Sequence, residues 1–178
     1  MEVYRKAIEQ MLKHEGGYTN NINDNGGETY RGISRKYFSR WEGWNIIDST
    51  DHFDDRLDEM VINFYKEFFW DALKLEMVED EQTAIILLDF SVNIGKKAIT
   101  KKIQRITGVT PDGTIGPVTI QAINSMDSRT FIYQILLEVT DLYVTIVNRN
   151  KSQKVFLLGW LNRVMDSYYT YERSRVAA

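Results

Sequence analysis

The chain has 178 residues, 43% of them hydrophobic and 26% charged, with two prolines, no cysteine and a formal net charge of −3. That composition excludes collagen-like, disordered and disulfide-stapled classes, and at this length a chain buries roughly 70% of its unfolded surface, enough for a core without staples or metals. The longest uninterrupted apolar run, AIILL at 84–88, falls well short of the roughly 20 residues that span a bilayer, so stable membrane insertion is not expected.

Residues 1–13 carry Lys, Arg and Glu among their apolar positions; they lack the apolar centre of a secretory signal, and synthesis in the cytoplasm is expected. Val3, Ala7, Ile8, Met11 and Leu12 form one helix face, which one further turn extends to Glu15. Gly16 and Gly17 follow, where a left-handed glycine is expected to close the helix. Residues 19–27 (TNNINDNGG) have the composition of consecutive turns, 28–34 read as a short strand or a tight return, and 35–41 as a short helix. Across 51–74, Phe53, Leu57, Met60, Val61, Phe64, Phe68 and Trp70 recur at mostly helical spacing, with acids in the first turns. A helix from 81 to 95, a basic helix over 96–107, a loop (VTPDGTIGP), a helix from Pro117, and long helices over 130–148 and 155–171 complete the chain. The fold class is therefore mainly α, with an irregular loop or small β element near residues 15–34.

Function on a helical scaffold concentrates in such a loop. Glu15 is expected at the last turn of an amphipathic helix, where partial desolvation and the negative end of the helix dipole disfavour its charged form; a proton donor for a glycosidic oxygen needs that setting. Asp24 follows nine residues later in a wet, Asn-rich loop that favours the ionised form. One protonated and one charged carboxyl is the division of labour of glycoside hydrolysis, although a solvated Glu and a turn-forming Asp are the commoner occupants of such positions. A calcium loop is the competing reading, with Asn21, Asn23, Asn25 and Gly26 at its first, third, fifth and sixth places. It fails because the first ligand is neutral and Gly32 stands where the bidentate Glu belongs. No metal or cofactor is expected.

His14-Glu15-Gly16-Gly17-Tyr18, then Asn23-Asp24-Asn25-Gly26-Gly27-Glu28-Thr29 and Gly32-Ile33-Ser34, closely resemble glycoside hydrolase family 108, lysozyme-like N-acetylmuramidases of phages and bacteria marked by Glu-Gly-Gly-Tyr. The stretch from Leu88 to Gln104 and the string Pro111-Asp112-Gly113-Thr114-Ile115-Gly116-Pro117 resemble the predicted peptidoglycan-binding domain that accompanies that family. The resemblance implies a lysozyme-like catalytic region over 1–88, a peptidoglycan-binding helical region over 89–178, and Glu15 as the catalytic acid. It also implies Asp24 and Thr29 as the rest of a Glu/Asp/Thr set, with Thr29 one residue closer than the phage-type spacing. Asn25 replaces the family's usual Pro, and Tyr30-Arg31 its usual Asn-Tyr. Peptidoglycan glycan strands are the implied partner, acted on at the cell wall after holin-dependent export.

Among the aromatics Tyr18, Tyr30, Tyr37, Trp41, Trp44 and Trp70, Tyr18 and Tyr30 are the candidate sugar contacts and Trp70 a core residue. Asp89 and Asn93, one turn apart, either line the same cleft or form a hydrogen-bonding stripe on a half-buried helix. Charge divides unevenly: residues 1–80 carry 10 Lys and Arg against 17 Asp and Glu, net −7, and residues 81–178 carry 12 against 8, net +4. The stripe Lys96, Lys97, Lys101, Lys102 and Arg105 approaches the anionic wall or is a solvated face. Helix-turn-helix DNA binding is disfavoured because the loop over 108–116 is too long for the usual turn and the chain is acidic, so no nucleic-acid partner is expected. A non-catalytic wall-binding or secretion-activating protein is the remaining alternative.

Overall fold

The computed structural model describes residues 2–20, 27–49 and 54–176. Helix α1 (Glu2–Leu12) leads into strands β1 (Tyr18–Asn20), β2 (Glu28–Tyr30) and β3 (Ile33–Ser34), which form an antiparallel sheet in the order β1-β2-β3. Helices α2 (Gly43–Ser49), α3 (Arg56–Tyr65), α4 (Glu81–Ile94), α5 (Lys96–Ile106), α6 (Pro117–Asn124), α7 (Ser128–Arg149) and α8 (Lys154–Val176) follow. The molecule is mainly α with a small β element, as the sequence leads one to expect.

Helix α4 is the central rod. Its residues from Thr83 to Ser91 are all buried, and α1, α5 and α7 pack around it; a helix apolar on every side belongs inside a core. Asp80 caps it by accepting from the Thr83 amide at 2.7 Å, and Asp127 caps α7 in the same way. By length and mean hydropathy (1.4), α7 is long and apolar enough to cross a membrane, which counting uninterrupted runs misses because Glu138 and Asp141 break them. Here Phe131, Ile132, Ile135, Leu136, Val139, Tyr143 and Val147 of α7 are buried against its neighbours in the core.

Three local expectations change. Helix α1 ends at Leu12 in tightening turns, with the His14 amide on the Met11 carbonyl and the Glu15 amide on Leu12. Neither Gly16 nor Gly17 is left-handed, so Glu15 lies beyond the helix rather than in its last turn. Residues 35–41 form turns instead of a helix, and α2 starts only at Gly43; the Trp41 ring lies directly over Gly43, where no side chain would fit. The predicted helix over 51–74 switches at Lys66–Asp71 to a π-helical turn. Phe64 and Tyr65 are buried, and so are Phe69 and Trp70, five residues on; a π turn, with its i to i+5 repeat, keeps both pairs facing inward where an α-helix would turn the second pair away.

The basic stripe on α5 is not simply a solvated face. Lys102 is buried and donates to the Glu138 carbonyl at 2.7 Å and its carboxylate at 3.0 Å, while Lys96 donates to the Phe68 carbonyl. The Asp112-Gly113 turn is clamped from α5 by Gln104, whose amide donates to Asp112 Oδ1 and the Thr114 carbonyl and accepts from the Gly113 amide.

Candidate active site

Antiparallel pairing sets Thr19 opposite Thr29 and Thr29 opposite Ser34. Since side chains alternate across a strand, the three hydroxyls share one face of the sheet. They line a cavity of 580 Å³ together with Glu15, Gly32 and Asn93. Glu15 is the one carboxylate among the described residues that line it.

The β2–β3 turn shapes the floor. Arg31 and Gly32 both have positive φ, 45° and 80°, the two-residue hairpin turn whose twist matches the strands. The missing side chain of Gly32 has a second consequence: a Cβ there would lie 2.5 Å from Glu15 Oε2 and 2.7 Å from the Tyr65 hydroxyl. Tyr65 in turn donates to the Arg31 carbonyl at 2.7 Å, holding the turn from α3. The Glu15 carboxyl is thus seated against bare backbone.

Its other oxygen is held from far along the chain. Arg163 of α8 donates to Glu15 Oε1 at 2.9 Å, and its second terminal nitrogen lies 3.9 Å from Asp89 Oδ1 on α4. Glu15 keeps 18% of its side-chain surface exposed, against 7% for Arg163 and 2% for Asp89. One buried guanidinium therefore serves two carboxyls of unequal depth. Neither Asp89 oxygen has a hydrogen-bond partner among the described residues. Burial pushes Asp89 up to about 7, with the Arg163 charge pulling it down and the Glu15 charge pushing it up. Asn93, one turn after Asp89, reaches the cavity, and its Oδ1 accepts from the Tyr143 hydroxyl. Tyr143 stacks on Trp160 of α8 at 5.0 Å between ring centres, and burial raises its own pKa.

Of the residues singled out from sequence, Glu15, Thr29 and Asn93 meet in one cavity. Asp89 lies beneath it, on Arg163. Tyr30 is buried, its ring stacked at 6.2 Å from Trp41, which leaves little of it for a sugar to touch. Tyr18 is exposed and donates to Glu28 Oε1 at 3.1 Å, on the face of β1 opposite the three hydroxyls. Trp70 is a core residue, its ring nitrogen donating to Glu76, and Trp44 is buried with its ring nitrogen on the Phe38 carbonyl. Asp24 lies outside the described residues, as do Asn21, Asn23, Asn25 and Gly26 of the rejected calcium-loop reading. Sequence reasoning misses Thr19, Ser34 and Arg163; the strand register carries the signal for the first two, and an unpartnered Asp in an apolar run was the only local sign of the third.

A mainly helical protein whose cavity beside a small sheet is lined, among the described residues, by one acidic side chain set against hydroxyls offers the proton donor that glycoside hydrolysis needs. The family model described as Glycosyl hydrolase 108 matches residues 8–95, and that described as Predicted Peptidoglycan domain matches residues 98–165. The chain belongs to glycosyl hydrolase family 108 and carries the predicted peptidoglycan domain after it. Together these make it a hydrolase of peptidoglycan. The structure of Brucella abortus SagA superposes on it with a TM-score of 0.73 and 25% identity, covering 92% of this chain and 90% of that one. Among curated protein sequences nothing matches it. The cavity draws on both matched segments, since Arg163 of the second holds Glu15 of the first.

Proposed function

We propose that the protein is an N-acetylmuramidase that cleaves the bond between N-acetylmuramic acid and N-acetylglucosamine, with Glu15 as general acid. The observation that carries this is the Glu15 carboxyl, the one acid among the described residues of a cavity that they line with hydroxyls, an amide, glycines, Val92 and aromatic rings. With Oε1 on Arg163 and Oε2 toward Gly32, the carboxyl is fixed in orientation, which proton transfer to a leaving oxygen requires. As the glycosidic oxygen takes the proton, the C1–O bond breaks and water completes the hydrolysis. The Thr29 hydroxyl, between Thr19 and Ser34, is placed in this scheme to orient the sugar or that water. Asp24 is assigned the second carboxylate from its position in the motif alone.

On this reading the N-terminal region up to residue 88 carries the chemistry, the rest holds the wall polymer, and the protein acts on the cell wall as an endolysin. Digestion of purified peptidoglycan, borohydride reduction and mass spectrometry of the products test it. Reduced N-acetylmuramic acid ends are the expected result. Reduced N-acetylglucosamine ends would replace muramidase by glucosaminidase, and no new ends would leave only a wall-binding protein.

A further inference from the structure

A second and larger groove, of 680 Å³, runs beside the catalytic cavity and shares Tyr37, Phe38 and Phe64 with it. Each volume lies within the roughly 300–1,000 Å³ of small-ligand sites, so the two together exceed what one reacting unit needs. The groove is built on aromatic rings. Phe64 stacks on Phe68 at 4.8 Å, and Phe38 meets both edge-on at 4.7 and 5.5 Å. That packing fixes the floor before any ligand arrives. Two rings remain open to solvent, Tyr37 at 70% and Phe68 at 39% exposure, an arrangement that costs apolar surface unless something covers it. Arg40, Asn63 and Glu67 stand among them with exposed polar ends.

We infer that this groove is a glycan subsite, binding sugars of the same strand beyond the bond held at Glu15. The inference rests on the glycosidase reading and extends it. A sugar ring has an apolar C–H face and a hydroxyl edge, and it matches a floor of aromatic faces set among amide, carboxylate and guanidinium groups. A linear polymer held at one bond must also leave the catalytic cavity along a wall, and Tyr37, Phe38 and Phe64 are the wall the two spaces share. Binding energy gained there, remote from the reacting atoms, is available to orient the scissile bond, so longer substrates turn over faster.

Peptide-free glycan strands of graded length, made by amidase treatment, are compared with intact peptidoglycan, using wild type, Phe68→Ala and Arg40→Ala. Phe68 and Arg40 line the groove and not the catalytic cavity, and Arg40 is exposed, so its replacement leaves folding intact. In the wild type, kcat/KM rises with strand length. Each variant loses about three- to tenfold on long peptide-free strands and keeps the wild-type rate on the shortest cleavable oligosaccharide. Unchanged length dependence in both variants would overturn the subsite while leaving the glycosidase intact. Loss confined to peptide-bearing strands would assign the groove to the stem peptide and equally overturn it. A wild type inactive on every substrate would remove the glycosidase reading and the subsite together.

Discussion

The segment over 13–42 and the bundle of α4 to α8 are held together by different forces. Three strands of three, three and two residues cannot stand alone. They are tied down by Ile33 and Tyr30 in the core and by half-exposed ion pairs, Arg35 to Glu28 at 2.9 Å and to Asp48 at 2.6 Å, Arg31 to Asp58 at 2.7 Å. Such pairs are worth roughly 0–1 kcal/mol each. The bundle instead closes around α4, buried on all sides. The Glu15 carboxyl belongs to the weak region, yet its position is fixed from the strong one by Arg163. A site built at this seam gains an open approach from one side and a rigid anchor from the other.

Removing the anchor has the largest expected effect. Arg163→Ala leaves Glu15 and Asp89 facing each other without their shared cation, and the cost is about 3–5 kcal/mol of stability; urea unfolding reads it directly, and Arg163→Lys recovers part of the loss. A pH series on Asp89→Asn comes next. Asp89 stands above its ordinary 3.8, at about 7, so between about pH 4 and pH 7 the folded chain holds a proton that the unfolded chain has released. Its contribution to stability therefore falls as pH rises through that window. The variant lacks this slope, and its stability relative to wild type rises from pH 4 to pH 7, on the order of a few kcal/mol. A flat difference would mean that Asp89 is ionised in the fold throughout.

Smaller changes separate the two regions. Gly32→Ala sets a methyl against the Glu15 carboxyl at a positive φ, costs about 2 kcal/mol and depresses cleavage beyond what the loss of folded protein explains. Gln104→Ala, which frees the Asp112-Gly113 turn from α5, costs about 1–2 kcal/mol. It leaves cleavage per folded molecule unchanged, because nothing in that turn touches the cavity. If both variants lost activity only in proportion to folded protein, the seam would be no more sensitive than the bundle.

The bundle was legible in the sequence because its signals are local. Periodicity and Pro117 at a helix start act within one or two turns, and the structure adds the equally local caps Asp80 and Asp127. Residues 35–41 were not legible, since their turns depend on Trp41 packing over Gly43 and on the Trp44 ring nitrogen reaching Phe38. Glu15 could be picked out by its motif, but its environment could not. Arg163 is 148 residues away, and on α8 it reads as one more basic residue of a long helix. Tyr30, a candidate sugar contact only as one of the aromatics, faces the core because the register with β3 pairs it with buried Ile33.

The central claim is that Glu15 supplies the proton. Glu15→Gln keeps the size of the side chain and a group that accepts from Arg163 while removing the acid. Release of reducing ends from purified peptidoglycan should fall by a factor of at least about a hundred, with the far-ultraviolet circular dichroism spectrum unchanged. Cleavage by the folded variant at the wild-type rate would contradict the account.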